Sequence, residues 1–302
     1  MTAIATQPMT LQDRIREEIL LARDAEAKTA GLSFLDFCRE VCFGPDGILF
    51  PQSMAACHEE LCELHQAPKT EPGQRTRLML WPRGSLKTTI GSVAYPVWLA
   101  LQNPDIRILI ASATEKLASR IIESISGLIR DRRFKARFGD WTDGGRFRSK
   151  SIVIGTRRLV TLREPTFAVA SVETSEVGGH YNRIFCDDIH DEKNVSTREQ
   201  IDKVWRFYGL LAPLLEPDGE KEIKGTRWGE ADSYARMEQN LPPNCVSVRR
   251  VIDESGRNLW PEKYTPKLLA DARKDLGTYG FNLQYQNLCT APEDMVFKSE
   301  WL

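Results

Sequence analysis

The sequence lacks any apolar run approaching the roughly 20 residues that a membrane-crossing helix needs. Its first residues, MTAIATQPMTLQDRIREE, lack the basic start and apolar stretch of a secretory signal, which points to an intracellular protein. It also lacks net charge: 41 Lys and Arg against 42 Asp and Glu leave −1. Global electrostatics therefore carry no nucleic-acid signal, and any such contact must rest on local patches. An even cysteine count is missing too. The seven cysteines, at 38, 42, 57, 62, 186, 245 and 289, are expected as free thiols. Cys38, Cys42, Cys57 and Cys62, with His58 and His65, invite a zinc reading. Their CxxxC and CHxxxCxxH spacing is looser than finger-type knuckles, however. It equally fits small buried residues on amphipathic helices.

What is present is ordinary for a globular chain: 302 residues, 41% hydrophobic and 27% charged, enough for one large domain or one and a half. Residues 10–29, 33–43 and 53–67 read as amphipathic helices, the second stopped by Gly44-Pro45-Asp46-Gly47. Then the pattern changes. RLMLWP (77–82) is a short apolar strand, followed by a loop and a helix over 88–102. IRILIASA (106–113) is a second buried strand, with a long helix over 115–131 behind it. SIVIG, RLVTL and FAVASV, within 151–172, read as β pieces, and RIFCDD (183–188) as a strand ending in acids. A helix near 197–215, a strand at 221–228, a helix at 230–239 and a strand at 246–253 complete the alternation. Strands alternating with helices predict an α/β domain with a mainly parallel sheet. The expected organisation is a helical extension over 1–70, a core over 71–253 and a closing sub-domain over 254–302.

The sharpest local signal is Trp81-Pro82-Arg83-Gly84-Ser85-Leu86-Lys87-Thr88-Thr89, between a strand and a helix. A bound triphosphate needs inward backbone N–H groups, a lysine on the β/γ phosphates and a hydroxyl on magnesium. Lys87 and Thr88 suit the last two roles, and a helix starting at Lys87 would aim its positive end at the phosphates. Trp81 and Leu86 stand where the generic GxxxxGK[ST] pattern has glycines. The bland alternative is a plain strand–loop–helix with a solvated lysine. One hundred residues after Lys87, the strand RIFCDDIHDE ends in carboxylates. Asp187 suits the magnesium shell, and Asp188 a residue that orients or deprotonates attacking water. Solvated acids at a strand end are the alternative. KGTRW (224–228) closes a later strand, where Thr226 suits a γ-phosphate sensor.

Taken in order, WPRGSLKTT, ILIASATEKLA, IFCDDIHD, KGTRW and FNLQYQN resemble the ATPase domain of tailed-bacteriophage large terminases. The resemblance runs from about His58 to the end. It implies a P-loop NTPase fold of the ASCE/RecA-like kind, with ATP as substrate and Mg2+ as cofactor. It also implies that Arg83 contacts phosphate or acts as an arginine finger in cis, with Arg83, Gly84, Ser85, Leu86, Lys87, Thr88 and Thr89 forming the nucleotide loop. Where the family usually has a catalytic glutamate, this chain has Asp188, with Glu192 as a substitute. KGTRW resembles the segment coupling hydrolysis to movement, which gives Thr226 that role. Phe50-Pro51-Gln52 resembles an adenine-contacting motif, with Gln52 as the contact. The family's RNase H-like nuclease domain has no counterpart here, so no nuclease activity is expected of this chain. The implied partners are double-stranded DNA, a portal protein, a small terminase subunit and further copies in a ring on the portal. The isolated chain could be monomeric, and the implied setting is the host cytoplasm.

Residues 120–163 hold twelve Arg or Lys against four Asp or Glu. A DNA-facing surface, a ring interface supplying an arginine in trans, and a solvated helix end are all compatible with that run. Three rival functions stand beside the packaging motor, among them a bare nucleotide-binding fold whose ATPase activity would be indifferent to DNA. A second is a helicase-like translocase, for which the residues after Trp228 are too few to build a second RecA-like domain. The third is an assembly protein that binds portal or small terminase without turnover, against which the retained Lys87, Thr88, Asp187 and Asp188 argue.

Overall fold

Short apolar runs such as Leu78-Met79-Leu80 and Ile108-Leu109-Ile110 become strands buried on both faces, as a parallel sheet covered by helices requires. The computed structural model describes residues 31–67, 74–174 and 178–289. Its eight strands are β1 (Thr76–Leu80), β2 (Ile108–Ser112), β3 (Arg146–Arg148), β4 (Ser151–Val153), β5 (Phe167–Ser171), β6 (Tyr181–Asp187), β7 (Leu215–Gly225) and β8 (Val246–Val248). They form one sheet in the order β3-β4-β5-β2-β6-β7-β1-β8. All pairings from β5 to β8 are parallel, while β3 and β4 are antiparallel additions at one edge. Strand β1, which leads into residues 81–88, and the acidic strand β6 are thus separated by β7, which carries KGTRW at its end.

Successive strand residues point to opposite faces, so the sheet has two cores. Met79, Trp81, Ile108, Ile110 and Phe185 face one layer, and Leu78, Leu80, Leu109, Ile184 and Ile223 the other. The first layer contains helices α1 (Phe34–Phe37), α2 (Ala56–Gln66), α3 (Tyr95–Gln102), α4 (Glu115–Arg130) and α5 (Arg132–Phe138). The second contains α6 (Arg198–Leu210) and α7 (Ser233–Asn240). The long helix α4 shows why. Thr114 caps it by accepting from Leu117 N. Ala118, Ile121, Ile122, Ile125, Leu128 and Ile129 recur at helical spacing and are all buried, each large one contributing roughly 1.5–3 kcal/mol. Asp131 ends α4 and caps α5 through Arg133 N.

Three expectations need correction. RLVTL is an exposed loop rather than a strand: Leu159 is 53% and Val160 85% exposed, and the added strand is β3. The strand expected over 246–253 stops at Val248. The final stretch contains a long helix, α8 (Pro266–Gln286), capped by Thr265 and broken by Gly277 at φ 68°. Only Phe281 and Leu283 along it are buried, so its sequence carries little of the periodic signal that marks a helix. The helix expected at 10–29 lies outside the described residues. Cys38, Cys42 and Cys62 lie together in the core, where burial raises the Cys38 thiol well above its ordinary range. Among the described residues no group of three or more His, Cys, Asp or Glu is arranged to hold a metal.

Candidate functional site

The loop leaving β1 is shaped by two left-handed residues, Gly84 at φ 84° and Leu86 at φ 63°. Leu86 adopts the conformation for which the generic loop uses glycine, at a steric cost of roughly 1–2 kcal/mol. This is how a loop short of glycines retains its shape. Ser85 and Lys87 are buried, and the Ser85 hydroxyl has no hydrogen-bond partner among the described residues. Trp81, at the other glycine position, is buried and donates its indole N–H to Ser247 Oγ at 3.2 Å.

Behind the loop the helix does not run straight from Thr88 to Gln102. Thr89–Ala94 is a π-helical turn leading into α3. Pro96, at the start of α3, has no N–H to donate to Ser92, and Tyr95 N reaches back to Ile90 O. The wider turn leaves the Gly91 carbonyl outside the usual ladder, and Lys224 Nζ donates to it at 2.9 Å. Lys224 is fully buried and 3.8 Å from Glu222, to which His65 Nδ1 donates at 2.7 Å. Burial lowers the pKa of Lys224 and of His65, and in both cases Glu222 opposes it. This charged cluster ties the loop's helix to β7 one residue before Gly225.

The acids arrive from β6. Asp187 is buried and accepts from Thr88 Oγ1 at 2.8 Å through Oδ1, while Ser92 Oγ donates to Oδ2. Asp188 leaves the strand at φ 43°, a strained value of the kind concentrated at functional sites. Its backbone is fixed by bonds to Lys224 O (2.9 Å) and from Ala113 N (3.1 Å). Its Oδ2 lies 3.7 Å from Lys87 Nζ. A third of the side chain faces open space, but Oδ1 is enclosed and has no hydrogen-bond partner among the described residues. That enclosure raises the Asp188 pKa, against the pull of Lys87. His190, buried and neutralised by its surroundings, accepts from Ser233 N and so anchors the loop after Asp188 to α7.

The structure therefore brings Arg83, Gly84, Ser85, Leu86, Lys87, Thr88, Asp187 and Asp188 to one end of the sheet. Thr89 opens the π-helical turn, and Thr226 is buried just past the end of β7, beside β1. Gln52 is exposed in the loop before α2, its carbonyl accepting from Gly44 N. Glu192 is exposed beyond the strand.

The end of α8 adds contacts to the loop that the sequence analysis assigned to no residue. Gln284 holds Arg83 twice, its carbonyl accepting from Arg83 N at 2.9 Å and its Oε1 from Arg83 Nη1 at 2.8 Å. Asn287, left-handed at φ 51°, donates to Leu80 O and Arg249 O and accepts from Arg227 N. It joins the ends of β1, β8 and β7. A polar residue in a mixed stretch gives no signal of this. A groove of about 910 Å³ between α2 and the 248–262 segment is lined by none of these loop or strand-end residues, so the site is not found from that groove.

No protein-family model matches the sequence, and no curated protein matches it. Solved structures do. The HK97 bacteriophage large terminase superposes at a TM-score of 0.54 with 10% identity, over 86% of this chain and 55% of its own. A large terminase from a thermophilic bacteriophage, in complex with ADP, gives 0.50 and 12%, over 78% and 54%. The Thermus phage P74-26 large terminase ATPase domain gives 0.50 and 14%, over 79% and 95%. The fold is that of a phage large-terminase ATPase domain. The chain spans about half the length of the first two large terminases and nearly all of the isolated ATPase domain. At these identities the terminase likeness is one of fold.

Proposed function

We propose that this chain is the ATP-hydrolysing motor of viral genome packaging, moving double-stranded DNA into a procapsid. The observation that carries this reading is the meeting of Lys87, Thr88, Asp187 and Asp188 at one sheet end in a terminase-like fold. Thr88 Oγ1 and the Asp187 carboxylate form a hard-oxygen donor set that suits Mg2+. Bound there, the ion would neutralise charge on the β and γ phosphates.

Lys87 binds the phosphates in this scheme. Turning to them, it leaves Asp188, which then orients the attacking water and accepts its proton. Asp188 Oδ1, enclosed and without a hydrogen-bond partner among the described residues, is available to accept it. Arg83 supplies a guanidinium to charge developing on the phosphoryl group, Gln52 meets the adenine, and Thr226 reads the γ-phosphate. The β7 end that carries Thr226 then passes the hydrolysis state to the rest of the chain. Portal protein, small terminase subunit and a ring of copies are the partners of this motor.

The test is ATP turnover with magnesium, for the intact chain and for Lys87→Ala, with and without double-stranded DNA and across protein concentration. Activity lost with Lys87 and rising with DNA or concentration supports the motor. An intact chain that neither binds nor hydrolyses ATP under any of these conditions overturns it and favours an assembly protein.

A further inference from the structure

The segment after β8 delivers a cation to the phosphate loop. Trp260 O accepts from Lys263 N at 3.1 Å and from Tyr264 N at 2.8 Å, forming a tight turn. Tyr264 is buried, and its hydroxyl donates to the Arg83 carbonyl at 3.0 Å. With the turn pinned there, Lys263 lies directly over Gly84. A Cβ added to Gly84 would be 3.3 Å from both Cε and Nζ of Lys263, which places the end of the lysine against the loop. The ammonium also sits 5.0 Å from the centre of the Trp260 ring, which orients it. No ion pair joins Lys263 to a carboxylate among the described residues. Burial lowers its pKa. A partly desolvated ammonium with no ion-paired carboxylate among the described residues, held against the loop at Gly84, favours a bound anion.

We propose that Lys263 is a second phosphate-binding lysine of this site, pairing with the phosphate chain of the nucleoside triphosphate held by residues 83–88. The inference rests on the nucleotide-site reading above. It makes the closing segment part of the binding site as well as part of the packing. Trp260 and Tyr264 set the lysine's position against Gly84.

The test is calorimetric titration of the full 302-residue chain with ATP and, separately, with tripolyphosphate, which isolates phosphate recognition. The intact protein is compared with Lys263→Met, Lys263→Arg and Lys87→Ala, with unfolding midpoints as a check on folding. Lys263→Met is expected to weaken both ligands about tenfold, as loss of a charge-assisted contact does. Lys263→Arg, which keeps the charge and also controls for any folding defect in Lys263→Met, is expected to recover most of that loss. If the intact chain binds both ligands and Lys263→Met binds them equally well, Lys263 is not a phosphate ligand, and the nucleotide site stands without it. Weaker ATP binding with unchanged tripolyphosphate binding also overturns the inference, since the lysine then serves the nucleoside or the fold. If the intact chain binds neither ligand, the nucleotide-site reading falls and this inference with it.

Discussion

Leu86 and His58 show how single residues carry conditions that the rest of the chain must meet. Leu86 is left-handed, a conformation tolerable for an unbranched side chain and worse for a β-branched one. Leu86→Val is therefore expected to lower stability by more than about 1 kcal/mol. Leu86→Gly, which relieves the strain but loses some packing, should stay within about 1 kcal/mol of the parent. Urea unfolding midpoints for the two variants check this. His58 is buried, its Nδ1 accepts from Ala55 N at 3.0 Å, and burial lowers its pKa to about 4. The folded state thus binds its proton less readily than the unfolded chain. The stability from keeping it neutral is complete above the unfolded pKa of about 6.5 and is lost as pH falls through about 4, by up to roughly 3 kcal/mol. His65 and His190, also lowered by burial, add to that acid sensitivity. Unfolding midpoints measured from neutral to pH 4 should fall less steeply in His58→Gln than in the parent. Both features were only half visible in the sequence. Leu86 stood out as a departure from a motif, but nothing in the letters gave its backbone angle.

At the scale of elements, the π-helical turn Thr89–Ala94 is the part that sequence periodicity missed. An apolar run with a proline near its middle reads as one helix over 88–102. The proline's missing N–H instead widens the turn, sends Ser92 to Asp187 and leaves Gly91 O for Lys224. Gly91 sits where no side chain fits: an added Cβ would be 2.5 Å from His65 Nε2 and 2.8 Å from Lys224 Cδ. Gly91→Ala is expected to cost about 1–3 kcal/mol by overpacking and to displace the Thr88–Asp187 pair. Thermal unfolding and ATP affinity, measured on the same samples, check both effects. Helix α8 escaped detection for the opposite reason. It buries so little of itself that its pattern resembles a loop, yet its C-terminal end supplies Gln284 to Arg83.

Across the whole molecule, the basic stretch 120–163 divides once the fold is known. Arg133 pairs with Asp131, Lys135 with Asp140, Arg137 with Glu40 and Lys150 with Glu115. Part of the charge is thus internal to the structure. Arg132, Arg146 and Arg148 form no ion pair with a described carboxylate, and Arg146 and Arg148 lie on the edge strand β3. If these three contact DNA phosphates, the triple change to alanine should weaken DNA binding across sequences. It should also reduce the slope of log affinity against log salt by about 3, close to one per contact. An unchanged slope in a salt titration would assign DNA contact elsewhere.

The sequence alone determined the alternation of strand and helix, the loop between β1 and its helix, and the acids at the end of β6. Each of these is local: strand burial, turn chemistry and helix starts are decided within a few residues of chain. Tertiary structure alone decided that β7 separates the loop strand from the acid strand. It alone decided that Lys224 and His65 meet under the loop, and that Gln284, Asn287 and Lys263 come to its mouth. Those partners are 157 to 207 residues apart in the chain, and their meeting depends on sheet order and on a closing helix with little periodic signal of its own. A contact formed over that separation is fixed by the packing of the whole domain, which no local pattern encodes.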